Sequence, residues 1–185
     1  RDIFSFSDSI FMPCLRENRG YFSSSEYDSL YVGIDWSNGS GGDYTVVSAL
    51  DRNGTQRGIH YDNKQSPGVQ IDQIVDFLTQ KLDPQKIRRV YAESNSMGAV
   101  YIDILKDRLK NQPFEIQSFT TTNSSKRDII ESLSIDFENN QIKLMTNKEQ
   151  RTELLAYSME LTKGGLITYN APYGLHDDFV IALIS

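Results

Sequence analysis

One acidic residue interrupts an apolar run, Tyr31–Trp36, and this run constrains the fold more than any other stretch. Its residue types are typical of a buried strand, and Asp35 is its only charged residue. An unpaired carboxylate in an apolar setting is costly, so Asp35 must be hydrogen-bonded, paired with a cation or bound to a metal ion. A structural alternative is that Asp35 leaves the strand at its end and caps the glycine-rich turn 37–42. Taken alone, the residue leaves both interpretations open.

The segments after residue 29 predict a mixed α/β sheet. Five strands are predicted, over 30–36, 44–51, 56–62, 87–92 and 114–119. Asp51–Gly54 is a hairpin turn signal, so the first three strands form an antiparallel meander. The later strands each follow a helix, which predicts a ribonuclease-H-like sheet of order 3-2-1-4-5 with helices on both faces. Strands one and four are then parallel neighbours.

Helices are predicted wherever apolar residues recur at helical spacing. They begin at Ser66-Pro67, cover about 97–110, start from a cap at Asn123–Ser125, cover about 147–162, and run from Asp177-Asp178 to the end. Two short strands are predicted at Gln141–Met145 and Leu166–Tyr169. Residues 1–29 show no steady period and are predicted to be a lead-in arm or linker, with an ordered arm packed on the core as an equal alternative.

Composition bounds the class of protein. A chain of 185 residues with 38% hydrophobic and 24% charged residues is long enough for one domain with a real core. Its single cysteine, Cys14, excludes an internal disulfide and a cysteine metal cluster. No apolar run approaches the length of a membrane span. The net charge of −6 argues against a nucleic-acid partner, since such domains usually have a basic surface. The argument is weak, because bound cations would offset the charge of a carboxylate cluster.

Two more acidic positions lie at the ends of apolar segments. Glu93 follows the fourth predicted strand, and Asp177-Asp178 opens the last helix. Each has a structural alternative, since polar residues are routine after a strand and acids stabilise the first turn of a helix. Carboxylates from two neighbouring strand ends and a helix nevertheless form a set that can bind two Mg²⁺ or Mn²⁺ ions about 4 Å apart for attack on a phosphodiester. Hard oxygen ligands favour these ions over zinc.

From about Leu30 to its end, the chain resembles the nuclease domain of the large terminase subunit of tailed bacteriophages. The matching pieces are Gly33–Ser37 with Gly42–Thr45, Tyr91–Asn95 with Gly98, Ser125-Lys126 at a helix start, and His176–Ala182. The resemblance implies an endonuclease that cuts double-stranded DNA during genome packaging in the cytoplasm of a bacterial host. It also implies an ATPase motor domain preceding residues 30–185, with the portal and the small terminase subunit as partners. Residues 30–185 would then be the nuclease domain, truncated at its C-terminus.

Site residues carried over by this resemblance are Asp35, Glu93 and Asp178 as catalytic metal ligands, with Asp177 as a further ligand. Asp178 is favoured over Asp177 as the direct ligand. Many relatives carry an acid where this chain has Ile181, so a ligand from the second turn of the helix is in doubt.

Three further residues are candidates for supporting a ligand or contacting DNA: Asp43, Lys126 and His176. Lys126 lies at a predicted helix N-terminus, where backbone N–H groups attract phosphate. Each also has a structural interpretation. Asp43 can be a turn residue, Lys126 a solvated surface lysine, and His176 a residue that merely precedes a helix.

Other functions stay open on sequence grounds. A Holliday-junction resolvase or a transposase-like nuclease would use the same fold and metal chemistry. An actin-like or sugar-kinase-like ATP-binding domain would hold phosphate with a hairpin made of Gly33–Ser37 and a threonine on the next strand. It gives Glu93 and the aspartate pair no joint role. A scaffold without catalysis would keep the fold alone, and the intact acids argue against it.

Overall fold

The computed structural model describes residues 27–37, 42–94, 97–156, 158–161, 167–170 and 178–184. A five-stranded mixed sheet lies at its centre. The strands are β1 Leu30–Asp35, β2 Thr45–Asp51, β3 Gln56–Asp62, β4 Ile87–Glu93 and β5 Glu115–Phe119. Their order is β3-β2-β1-β4-β5, as the sequence predicts. The β1–β2 and β2–β3 pairs are antiparallel, whereas β1–β4 and β4–β5 are parallel.

Five helices accompany the sheet in the described ranges. They are α1 Pro67–Asp76, α2 Gly98–Arg108, α3 Asn123–Glu138, α4 Lys148–Ala156 and α5 Asp178–Ile184. Helix α1 has Pro67 at its first position, where the missing N–H costs nothing, and it continues as a π-helical turn, Phe77–Lys81. A 3₁₀ turn, Pro84–Lys86, leads into β4.

Helices cover both faces of the sheet because successive strand residues point to opposite sides. On one face, Ile34 of β1 and Val47 of β2 lie in a buried cluster with Leu78 of the π-helical turn and Leu105 of α2. On the other face, Val46 packs with Ala182 of α5. Helices α3 and α4 pack in turn against α5. The prediction of helices on both faces of the sheet is confirmed.

The predicted hairpin between β2 and β3 is present at Asp51–Gly54. The Gly54 N–H donates to the Asp51 carbonyl at 3.0 Å, and Gly54 has a φ of 79° that favours glycine. The buried Asp51 carboxylate accepts the N–H groups of Asn53 and Thr55 and pairs with Arg57 at 2.8 Å. This acid therefore has a structural role at the edge of the sheet where β1 begins.

The prediction of one helix over 147–162 is wrong in its second half. Helix α4 ends at Ala156, and Ser158–Leu161 forms a strand, β6, that pairs with β7, Ile167–Asn170, in a separate antiparallel sheet. Residues 148–161 contain no Gly or Pro, so nothing local marks the end of the helix. Cross-strand pairing with β7 decides the conformation, which helical spacing alone does not reveal.

Two smaller predictions need correction. In place of a strand over Gln141–Met145, the structure has a single parallel bridge between Lys143 and Thr55, which extends the edge beside β3 by one residue pair. The cap of α3 is Thr122 and not the predicted Asn123. Its hydroxyl accepts the N–H of Ser125, whose own hydroxyl accepts the N–H of Thr122, which forms a capping box.

The segment leading into β1 packs on the domain. The Tyr27 ring contacts the main core cluster, with Arg57 5.2 Å and Lys86 4.8 Å from its centroid. Ser29 is buried. The rest of the predicted arm, residues 1–26 with Cys14, lies outside the described residues.

Candidate active site

Two predicted acids end neighbouring parallel strands. Asp35 is the last residue of β1 and is only 6% exposed, and Glu93 is the last residue of β4 and is partly buried. Ile34 pairs with Ala92, so Asp35 and Glu93 are the next residues along each strand. In a sheet of this kind, ligands collect where parallel strands end. The register therefore places two carboxylates side by side at the edge formed by the C-terminal ends of the parallel strands, where ligand binding is expected.

The third acid reaches the same edge from a helix. Asp178 opens α5 and is 7% exposed, and its Oδ2 accepts the backbone N–H of Tyr44 at 2.6 Å. Tyr44 directly precedes β2, whose first residue, Thr45, accepts the N–H of Ser37 at 3.0 Å through its hydroxyl. The start of β2 therefore binds Asp178 and the chain just beyond Asp35. This arrangement brings two buried carboxylates to one end of β2.

Hydrogen bonds to the end of β5 hold the Glu93 segment. The N–H and the hydroxyl of Ser94 both donate to the Phe119 carbonyl, at 2.8 and 3.0 Å. The Ser94 hydroxyl also lies 2.8 Å from that of Thr120. The hydroxyl of Thr121 donates to Oε1 of Glu93 itself. The Glu93 backbone and carboxylate are thus both tied to the loop that leads into α3.

Close packing of α2 against the end of β4 also defines the position of Glu93. Gly98, the first residue of α2, is buried. A Cβ at this position would overlap the carbonyl oxygen of Glu93 and approach Cδ1 of Trp36 to 3.0 Å. Glycine is therefore required for this approach. Trp36 is 8% exposed and stacks at a tilt on Tyr101, with ring centroids 5.3 Å apart.

The chemistry of this donor set fits a hard divalent cation, because carboxylate oxygens are the ligands that Mg²⁺ and Mn²⁺ prefer. Among the residues that the structure describes, no three acidic, histidine or cysteine side chains form a cluster that could hold a metal ion. The described acids thus share one edge of the sheet without forming a complete three-residue site. Two of the predicted participants, His176 and Asp177, lie outside the described residues.

The remaining predicted residues lie near this edge. Asp43 is partly buried between Gly42, which has a φ of 115°, and Tyr44. That position suits a turn residue, and its neighbour Tyr44 donates to Asp178. Lys126 is in the first turns of α3, and its N–H donates to the Thr122 carbonyl at 2.8 Å. Lys126 lies five residues after Thr121, whose hydroxyl donates to Glu93.

Sequence reasoning missed two groups that bind the acids directly, the Thr121 hydroxyl and the Tyr44 N–H. No signal in the sequence distinguishes Thr121 from its neighbours Thr120 and Thr122. The Tyr44 N–H belongs to the backbone, so its sequence identity carries no information. Both contacts depend on how distant segments meet in the fold.

Comparison with known proteins identifies the family. The family model described as "Terminase RNaseH-like domain" matches residues 32–184, which is most of the chain. The chain belongs to this family. It is therefore a ribonuclease-H-like domain of the terminase family, and this result favours the terminase interpretation over the resolvase, transposase and ATP-binding alternatives. No curated protein sequence matches closely enough to count as a relative.

Solved structures of terminase nucleases share this fold. The large terminase nuclease of the thermophilic phage G20c is 20% identical, with 96% of each chain covered and a TM-score of 0.72. A structure of the same nuclease with bound magnesium gives 19% identity, coverage of 96% and 95%, and a TM-score of 0.73. The large terminase nuclease domain of Thermus phage P74-26 gives 21%, 95% and 92%, and 0.70.

No helix within the described ranges is both long and apolar enough to cross a lipid bilayer.

Proposed function

We propose that this domain is a metal-dependent endonuclease that cuts double-stranded DNA during phage genome packaging. The observation that carries the proposal is the placement of Asp35, Glu93 and Asp178 at one edge of the sheet, in a chain of the terminase nuclease family. The magnesium bound to the similar G20c nuclease supports a divalent cation here. Two Mg²⁺ or Mn²⁺ ions, when bound, would supply Lewis-acid activation of water and stabilisation of the leaving 3′ oxygen.

The positions of the described acids support the proposed roles. Asp35 and Asp178 are both buried, so their charges act in a setting where water screens them little. Glu93 provides a third carboxylate from the neighbouring strand end. Asp178 is the direct ligand from α5, with Asp177 as a second contributor.

Contacts with DNA are proposed for the N-terminus of α3 and for three candidate residues. The N-terminus of α3 attracts phosphate through its backbone N–H groups, and Lys126 adds a positive charge there. Asp43 and His176 are candidates for orienting a ligand or contacting the backbone. Bound cations would offset the negative charge of the carboxylate ligands locally, although the overall charge of the chain is −6.

We also propose a place for this domain within a larger packaging protein. Residues 30–185 form the nuclease domain, and residues 1–29 link it to an ATPase motor domain of the same polypeptide. The portal and the small terminase subunit are its packaging partners, and the protein acts in the cytoplasm of the bacterial host.

A cleavage assay on supercoiled plasmid with Mn²⁺ tests the proposal. Asp35→Asn and Asp178→Asn keep the shape of each side chain and remove its charge. Each should lower the cleavage rate by at least about 100-fold, since loss of even the outer partners of metal ligands typically costs 10–100-fold. Chelation by EDTA should abolish cleavage, and excess Mn²⁺ should restore it.

Asp107→Asn is the matched control, because Asp107 is an exposed acid on α2 that pairs with Lys110 at 3.2 Å. It should cleave at the parent rate. If Asp35→Asn and Asp178→Asn also cleave at the parent rate, the proposed function is wrong.

A further inference from the structure

The loop between β5 and α3 contacts Glu93 through the hydroxyl of Thr121, which is not one of the proposed metal ligands. The Thr121 hydroxyl donates to Oε1 of Glu93 across 28 residues of sequence. Both side chains are partly buried. A carboxylate that accepts a hydrogen bond through one oxygen has less freedom to rotate, so its remaining lone pairs face a defined direction.

The backbone around this contact is built to keep the two residues together. Glu93 pairs with Phe119 in the β4–β5 register, and Ser94 donates twice to the Phe119 carbonyl. On the other side of Thr121, the capping box of Thr122 and Ser125 defines where α3 begins. Thr121 is thus held between a strand end and a helix cap, and its hydroxyl has a defined direction.

We propose that Thr121 is a positioning residue, which orients the Glu93 carboxylate for the divalent cation of the proposed nuclease site. This inference rests on the proposed function. Thr121 itself contacts neither metal nor DNA in this proposal. Its effect on the reaction passes through Glu93, and it lowers the entropy that the carboxylate loses when a cation binds.

The test uses two variants of Thr121 and a control. Thr121→Val keeps the branched shape and removes the hydroxyl, whereas Thr121→Ser keeps the hydroxyl. Thr79→Val is the matched control. The Thr79 hydroxyl donates to the Val75 carbonyl at 2.7 Å, in the π-helical turn that continues α1. Mn²⁺ affinity is measured by isothermal titration calorimetry without DNA, and the plasmid assay and the melting temperature accompany it.

The proposal predicts that Thr121→Val binds Mn²⁺ about 10–100-fold more weakly, the usual effect of removing an outer partner of a metal ligand. Thr121→Ser should restore most of the affinity, and Thr79→Val should bind as the parent does. Cleavage by Thr121→Val should recover in part when Mn²⁺ is raised, because the defect lies in metal binding.

Two results would overturn the inference and leave the proposed function standing. One is parental Mn²⁺ affinity and cleavage in Thr121→Val. The other is a loss of affinity in Thr121→Val that Thr121→Ser does not restore and that a lower melting temperature accompanies, which is the result of a purely structural role. If the unsubstituted domain itself neither binds Mn²⁺ nor cleaves DNA, the proposed function is wrong and the inference with it.

Discussion

The close contact between α2 and the end of β4 leads to a sharp prediction about Gly98. A methyl group at this position overlaps the carbonyl oxygen of Glu93 and lies 3.0 Å from Cδ1 of Trp36. The carbonyl belongs to the backbone, so it cannot rotate away as a flexible side chain would. We expect Gly98→Ala to displace α2 or the Glu93 segment by roughly 1 Å, and a misplacement of that size near reacting groups can cost about 100-fold in rate.

The effect on stability has two opposing parts. Alanine in a helix lowers the entropy of the unfolded chain relative to glycine and stabilises by about 0.4–1 kcal/mol. Overpacking destabilises by about 1–3 kcal/mol. The sum is a loss for Gly98→Ala, and each kcal/mol corresponds to a drop of about 2–4 °C in melting temperature for a domain of this size.

Gly68→Ala is the matched control. Gly68 is also in the first turn of a helix, α1, and a Cβ there meets no heavy atom within 4 Å. Only the favourable entropy remains, so this variant should melt slightly above the parent and cleave at the parent rate. The assays are thermal unfolding and Mn²⁺-dependent plasmid cleavage. A Gly98→Ala variant that matches Gly68→Ala in both assays would refute the packing argument.

Two other predictions concern buried polar groups away from the site. Gln56 and Gln150 are both 1% exposed and exchange two amide hydrogen bonds, at 2.9 and 3.0 Å. Gln150→Leu should lower the unfolding free energy by about 1–3 kcal/mol because it leaves part of the Gln56 amide unpaired. The double variant with Gln56→Leu should lose less than the sum of the single losses in urea denaturation, and additive losses would contradict this. Burial lowers the pKa of His60 below its ordinary value of 6.5, although Asp62, Gln73 and Asp76 oppose the shift. The unfolded chain then binds the proton first, so stability should fall as pH decreases below about 6.5. His60→Gln should weaken this dependence between pH 7.5 and 5.5, and an identical dependence in both proteins would exclude the His60 explanation.

The central sheet could be predicted from sequence because its signals are local. Short apolar runs mark the strands, Asp51–Gly54 marks the hairpin, and the rules for crossovers then leave few strand orders. The same rules place Asp35 and Glu93 at adjacent strand ends. Helix α5 begins at Asp178, within the predicted start, because an acid in the first turn is itself a local signal.

Features that depend on tertiary contacts could not be predicted. Residues 158–161 have the composition of a helix and form a strand because β7 pairs with them. The Thr121–Glu93 hydrogen bond and the Tyr44–Asp178 hydrogen bond join residues far apart in sequence. The spacing of residue types along the sequence does not reveal either hydrogen bond, so only the folded structure identifies these partners of the acids.

The parallel pairing of β1 with β4 also has a consequence for the order of folding. The antiparallel meander β1–β3 consists of contacts close in sequence, whereas β4 and α5 reach β1 only after long loops have closed. A chain that has formed the meander alone holds one of the three acids. In the proposed nuclease, a partly folded or newly made chain would therefore be chemically inert towards DNA, and cation binding would favour the complete domain over its intermediates.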